Sequence, residues 1–154
     1  MGAVYFYHLT RSPVAAAVAM LSERALGAGW RVAIRVRDRA RAEVLDAALW
    51  LGPEEGFLPH GIEGGGQDAL QPVLLCTGAV PAGVACLMAL DGVAVTPDEV
   101  RAAERVCVLF DGNDPDALQA ARGQWKGLTG AGLEAQYWSE ESGRWQKKAE
   151  AAAR

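Results

Sequence analysis

The chain has 154 residues, which is close to the length of one domain. Hydrophobic residues make up 51% of it and charged residues 22%, a balance typical of a soluble globular protein and not of a disordered or fibrous chain. Fifteen basic and nineteen acidic side chains give a net charge of -4, so we expect no general attraction to nucleic acid.

The first part of the chain alternates strand and helix patterns. Ala3 to Leu9 is rich in aromatic and β-branched residues and predicts a strand. Ser12 is a predicted N-cap for a helix from about Pro13 to Leu26, since proline suits the first helical position. Trp30 to Val36 predicts a second strand with one wetter face, because arginines alternate there with apolar residues.

A second helix and a long connection follow. Asp38 is a predicted cap for a helix that ends near Trp50. From Leu51 to Pro72 the chain carries six glycines and three prolines, which predicts an irregular connection. A connection of this length inside a compact domain is usually functional or mobile.

The second half repeats the alternation. Thr96 and Glu99 have the capping-box spacing at the start of a short helix, and Asp114 predicts a longer helix that ends near Leu128. Gly143 to Arg154 predicts a terminal helix. Four stretches predict strands, and the first two are apolar throughout, as interior strands of a parallel sheet are: Val73–Cys76, Val84–Leu90, Arg105–Phe110 and Leu133–Trp138.

These elements predict an α/β fold, namely a single Rossmann-like domain over residues 1–154 with a largely parallel sheet and helices on both faces. No run of about 18 apolar residues predicts a membrane span. The N-terminus lacks the basic region of a signal peptide. Three cysteines without a C-x-x-C pair suit a reducing cytoplasm.

Signals for catalysis or a cofactor are weak. The turn from Leu9 to Pro13 has no glycine, so it lacks the phosphate-binding pattern of dinucleotide-binding sheets, and no P-loop occurs. The helix N-terminus after Ser12 could still hold a stray anion. The histidines, His8 and His60, and the cysteines have no zinc spacing. We therefore expect no catalytic residue, cofactor or metal, although a nucleotide-binding enzyme of the doubly wound class remains the alternative.

The helix after Asp114 carries the most informative side chains. Arg122 and Lys126 lie one turn apart beside Trp125, which belongs to a predicted core stripe with Leu118, Ala121 and Leu128. One interpretation is a solvated basic edge with Trp125 in the core. The other is an acceptor for carboxylates, because a guanidinium binds a carboxylate through two hydrogen bonds while the indole contacts the rest of the ligand.

The chain resembles the chi subunit family of the bacterial DNA polymerase III holoenzyme. The similar segments occur in family order and span nearly the whole chain, and L-D-x-x-L-W followed by F-[LV]-P-H is the specific part. They are Phe6–Leu9, Leu45–Trp50, Phe57–Gly61, Pro72–Val73, Ala121–Arg122 with Trp125–Lys126, and Tyr137–Trp138.

The resemblance implies a non-enzymatic replication adaptor with a Rossmann-like fold. Such proteins bind the acidic, phenylalanine-terminated C-terminal tail of single-stranded-DNA-binding protein, and some also bind the psi subunit of the clamp loader. It implies that Arg122 binds the tail's terminal carboxylate, that Lys126 supports it, and that Trp125 and Trp50 flank the tail's phenylalanine. It places Phe57 on the surface for psi or a helicase partner. Where some relatives have a further lysine this chain has Leu118, so we expect a less basic site.

A scaffold whose Phe57 loop binds a second protein, with the basic helix face merely solvated, is a third possibility. In each adaptor or scaffold case we expect no direct nucleic acid or membrane contact.

Overall fold

The computed structural model describes residues 2–50, 59–66, 68 and 71–154. In chain order the elements are β1 (Ala3–Leu9), α1 (Val14–Gly27), β2 (Val32–Arg35), α2 (Arg39–Trp50), β3 (His60–Ile62), β4 (Val73–Cys76), β5 (Cys86–Ala89), α3 (Pro97–Ala102), β6 (Arg105–Asp111), α4 (Pro115–Gly130), β7 (Glu134–Ser139) and β8 (Gln146–Ala151).

The strands form one eight-stranded sheet in the order β3-β4-β2-β5-β6-β1-β7-β8. All neighbouring strands are parallel except β7 and β8, which are antiparallel. The predicted α/β fold with a largely parallel sheet is therefore confirmed. The strand order is not that of the dinucleotide-binding sheet, so the Rossmann-like part stays a prediction.

Two helices cover each face of the sheet. On one face α1 and α2 bury side chains such as Leu21 and Leu45 against Met88 of β5. On the other face α3 and α4 bury Val100 and Ala121 against strands that include β1 and β6. Strands β2, β4 and β5 are buried at every residue, because helices lie on both of their sides.

The prediction that one face of β2 is exposed to solvent is wrong. Arg35 is buried, and its guanidinium donates hydrogen bonds to both carboxylate oxygens of Glu99 and to the carbonyl oxygens of Gly78 and Ala94. These bonds from Arg35 lower the pKa of Glu99. An arginine in an apolar strand is thus buried because a partner on α3 neutralises its charge.

Three of the four predicted N-cap residues are confirmed. Thr96 and Glu99 form a capping box at α3, and the carboxylates of Asp38 and Asp114 accept hydrogen bonds from backbone N–H groups in the first turns of α2 and α4. Ser12 is not the N-cap of α1. Pro13 holds that position without a side-chain cap, and the Ser12 hydroxyl donates to Glu140 instead.

The terminal helix predicted from Gly143 to Arg154 is wrong, because β8 forms there and pairs with β7. The connection from Leu51 to Pro72 includes a short strand, β3, which pairs with β4. Residues 51–58 of this connection lie outside the described residues. None of the helices in the described ranges is long and apolar enough to cross a membrane.

Candidate functional site

A groove of about 1220 Å³ lies between α4 and the strands β7 and β8. Helix α4 lines one wall with Leu118, Arg122, Trp125 and Lys126. This spacing places the four side chains on one face of a helix, so the sequence of α4 itself presents them together. The structure thus brings together three of the predicted site residues, namely Arg122, Trp125 and Lys126.

The groove is rich in cations. Arg122 and Lys126 are exposed on α4, and Lys148 lines the groove from β8. In the part of the chain that the structure describes, none of these three side chains forms an ion pair with a carboxylate. Their positive charges are therefore available to an anionic ligand.

Aromatic rings form the apolar part of the groove. Trp125 is half-buried and packs edge-on against two rings. Its ring centroid lies 5.5 Å from that of Phe6 and 5.9 Å from that of Tyr137. Burial raises the pKa of Tyr137, and the nearby Arg122 guanidinium opposes that shift. Of the predicted core stripe, Ala121 is fully in the core, whereas Trp125 contacts the core with part of its surface and lines the groove with the rest.

An acidic side chain also lines the groove. Glu141 approaches His8, with Oε1 and Nε2 3.4 Å apart, and the other ring nitrogen of His8 lies 3.0 Å from the Tyr137 hydroxyl. His8 is buried, whereas Glu141 is exposed. The groove therefore has a net positive charge but is not purely cationic.

Sequence reasoning missed Lys148, Glu141 and His8 as residues of this site. The local pattern predicts a terminal helix at Lys148. His8 belongs to the segment Phe6–Leu9 that resembles the chi family, but no pattern assigns it to this groove. These three residues lie near α4 because the strands pair in one sheet, and local sequence patterns do not predict which strands pair. Tyr137 belongs to another segment that resembles the family, so the resemblance is the signal that points toward β7.

Trp50 lies apart from the groove. It ends α2, which covers the opposite face of the sheet, and its ring packs on His60 with centroids 4.5 Å apart. Trp50 is 54% exposed. The structure does not place it beside Trp125, so the expectation that both indoles flank one ligand side chain is wrong. A separate role for Trp50 in partner binding stays a prediction, and Phe57 lies outside the described residues.

The turn between β1 and α1 binds a carboxylate side chain of the same chain, that of Glu140. The Glu140 carboxylate accepts hydrogen bonds from the backbone N–H groups of Thr10, Arg11 and Ser12 at 3.1, 2.7 and 2.6 Å, and from the Ser12 hydroxyl at 2.8 Å. Burial alone would raise the pKa of Glu140, but these hydrogen bonds outweigh it and lower that pKa. These donors precede Pro13, the N-cap of α1, and are engaged within the connection. A stray anion at the helix N-terminus itself stays a prediction.

Metal-binding groups are sparse. Across the described ranges, no cluster of three or more His, Cys, Asp or Glu side chains could hold a metal ion. The three cysteines, Cys76, Cys86 and Cys107, are buried free thiols in strands. Cysteines in such positions act as small apolar residues of the core.

Comparison with known proteins gives one family. Residues 1–136 match the family described as DNA polymerase III chi subunit, HolC. No curated protein matches the chain. Among solved structures, the C-terminal domain of S. cerevisiae Dbp5, determined as a variant in complex with a Gle1 variant and IP6, is similar over 90% of this chain and 89% of that chain. The TM-score is 0.52 and the sequence identity 16%, so this similarity concerns the fold alone.

Proposed function

Because the chain belongs to the family of DNA polymerase III chi subunits, we propose that its groove binds the acidic C-terminal tail of single-stranded-DNA-binding protein. The family makes the chain an accessory subunit of DNA polymerase III. In the proposal it has no catalytic activity of its own and acts in the cytoplasm. It links the tail to the clamp loader, and it needs no cofactor for this role.

The observation that carries the proposal is the position of Arg122, Lys126 and Trp125 in one groove on a protein of net charge -4. A negative body repels nucleic acid, whereas a local positive groove attracts a short acidic peptide. The indole supplies apolar contact that a free phosphate or carboxylate would not use. A peptide that carries both acidic and aromatic side chains uses all of these groups.

In the proposed complex each groove residue has a distinct task. The Arg122 guanidinium binds the terminal carboxylate of the tail through two parallel hydrogen bonds. Lys126 attracts aspartate side chains of the tail, and Trp125 with Leu118 contacts the terminal phenylalanine ring. Exposed charges give modest, salt-sensitive binding. We therefore expect a micromolar dissociation constant, which corresponds to a binding free energy of about -8 kcal/mol.

A second partner would bind elsewhere. We place the psi subunit, or another clamp-loader or helicase partner, on the surface that includes Trp50, and the role of Phe57 in binding such a partner stays a prediction. Exposed tryptophan is enriched at protein interfaces, and Trp50 is on the face of the sheet opposite the groove. In this arrangement both partners can be bound at once.

A peptide titration tests the proposed tail site. A fluorescently labelled tail peptide is titrated with the wild-type protein and with Arg122→Ala. We expect the variant to bind about tenfold more weakly or worse, because hydrogen bonds to a charged group contribute about 1.5–3 kcal/mol.

Arg144→Ala is the matched control, since Arg144 is also an exposed arginine but does not line the groove. It should bind the peptide like the wild type. Equal affinities for wild type and Arg122→Ala would contradict the proposed role of Arg122.

A further inference from the structure

The groove has a second charged wall, which is made by the C-terminal strand. Lys148 and Ala149 of β8 both line the groove, although they are consecutive residues. In a regular strand consecutive side chains point to opposite faces of the sheet. Their common position therefore requires an irregularity in β8.

A β-bulge supplies this irregularity. Tyr137 is paired with Ala149, and the next residue of β7, Trp138, is paired with Lys147, so that Lys148 is the extra residue. A bulge of this kind changes the direction of a side chain and is frequent beside functional sites. Here it directs Lys148 to the face of the sheet on which α4 lies.

The neighbouring lysine is directed to the other face. Residues directly opposite each other in an antiparallel pair share a face, so Lys147 is on the same side as Trp138. Trp138 lies beside Met20 and Leu21 of α1, on the face away from the groove. Lys147 also forms an ion pair with Glu150, with Nζ and Oε2 2.9 Å apart. Two adjacent lysines therefore have different surroundings.

The family match ends at residue 136, before β8 begins. Lys148 is thus a groove residue that the matched region does not contain. It faces the wall formed by α4, which carries Arg122 and Lys126. An acidic peptide that lies between these walls meets positive charge on both sides.

We propose that Lys148 is a specificity-determining residue of the groove and binds a further carboxylate of the acidic tail peptide. This inference rests on the proposed function. It assigns the groove a preference for peptides with several acidic residues, and it partly compensates for the apolar side chain at Leu118. Among the described residues that line the groove, three cations face one acid, Glu141, so an acidic peptide is the occupant that the charges favour.

The experiment compares Lys148→Ala with Lys147→Ala in a titration of the labelled tail peptide. We expect Lys148→Ala to bind about threefold more weakly, the size usual for one exposed charge pair, and to show a smaller dependence on salt. Lys147→Ala should bind like the wild type. Lys148→Arg keeps the charge and should retain most of the affinity.

A second peptide, in which asparagines replace the aspartates, shows whether Lys148 acts through charge. For this peptide wild type and Lys148→Ala should have the same affinity, whereas a purely structural role of Lys148 would still produce a difference. The inference is overturned if Arg122→Ala weakens binding of the acidic peptide while Lys148→Ala does not. If the wild type does not bind the tail peptide at all, the proposed function itself fails and the inference fails with it.

Discussion

At the scale of single residues, the groove has side chains that attract an acidic ligand and one acidic side chain that repels it. Among the described residues that line it, Glu141 is the only acid. Its carboxylate approaches His8, but the side chain is still exposed and its negative charge faces the same space as Arg122, Lys126 and Lys148. The affinity for an acidic ligand is therefore the balance of these charges.

Removing the charge of Glu141 should strengthen tail binding. We expect Glu141→Gln to bind the labelled peptide about two- to threefold more tightly at low salt, because an exposed like-charge repulsion is lost. The gain should shrink as salt screens the charges. Titrations at two ionic strengths measure both effects, and an unchanged or weaker affinity at low salt would contradict the expectation.

At the scale of elements, the connection between β1 and α1 is held by a residue distant in sequence. Glu140 follows β7 directly and reaches across to satisfy three backbone N–H groups and one hydroxyl. These donors belong to the connection before Pro13, the N-cap of α1, and without Glu140 they would lack an acceptor in a partly buried position. Ser12, the expected N-cap of α1, therefore contributes to this contact and does not cap the helix.

Loss of Glu140 should destabilise the protein more than loss of its neighbour. We expect Glu140→Ala to lower the free energy of unfolding by about 2–3 kcal/mol, because several partly buried donors lose a charged acceptor. Glu141→Ala, at an exposed position, is the control and should change it little. Urea unfolding at neutral pH measures both, and equal midpoints for the two variants would contradict the role of Glu140.

The pH dependence of this stabilisation has a defined sign. The folded-state pKa of Glu140 is lower than its ordinary value of 4.5, so the carboxylate stabilises the fold fully above that value. The stabilisation is lost as the pH falls through the folded-state pKa. The difference in stability between wild type and Glu140→Gln should accordingly shrink in acid.

At the scale of the whole molecule, the sheet separates two surfaces. The groove lies on the face covered by α4, and Trp50 ends a helix on the other face. The proposed function requires two partners to be bound at once, and this needs two surfaces that do not compete. The layered architecture provides them.

The same architecture also raises the question of nucleotide binding. Ligands of parallel α/β sheets usually bind beyond the carboxyl ends of the strands, where this chain has the Glu140 carboxylate on the available donors. A phosphate would have to displace a charged, hydrogen-bonded side chain. We expect calorimetric titration with common nucleotides to give no saturable heat, and a saturable signal would favour the alternative of a nucleotide-binding enzyme.

Elements with local signals could be predicted from the amino-acid sequence. Thr96 with Glu99, and Asp114 with Pro115, mark helix starts through contacts within a few residues, and the apolar run from Val73 to Cys76 marks an interior strand. The spacing of Arg122, Trp125 and Lys126 likewise follows from the helical period. These residues could be predicted to share one face before any tertiary contact was known.

Other parts of the fold and of the groove depend on contacts between residues far apart in the chain, and these could not be predicted. The residues of β8 include alanines, lysines and a glutamate, which favour a helix locally, but pairing with β7 makes them a strand and the bulge directs Lys148 into the groove. Arg35 is buried because Glu99 meets it, and Ser12 serves Glu140 in place of its own helix. In each case the deciding contact joins residues far apart in the chain, and local sequence patterns carry no information about such contacts.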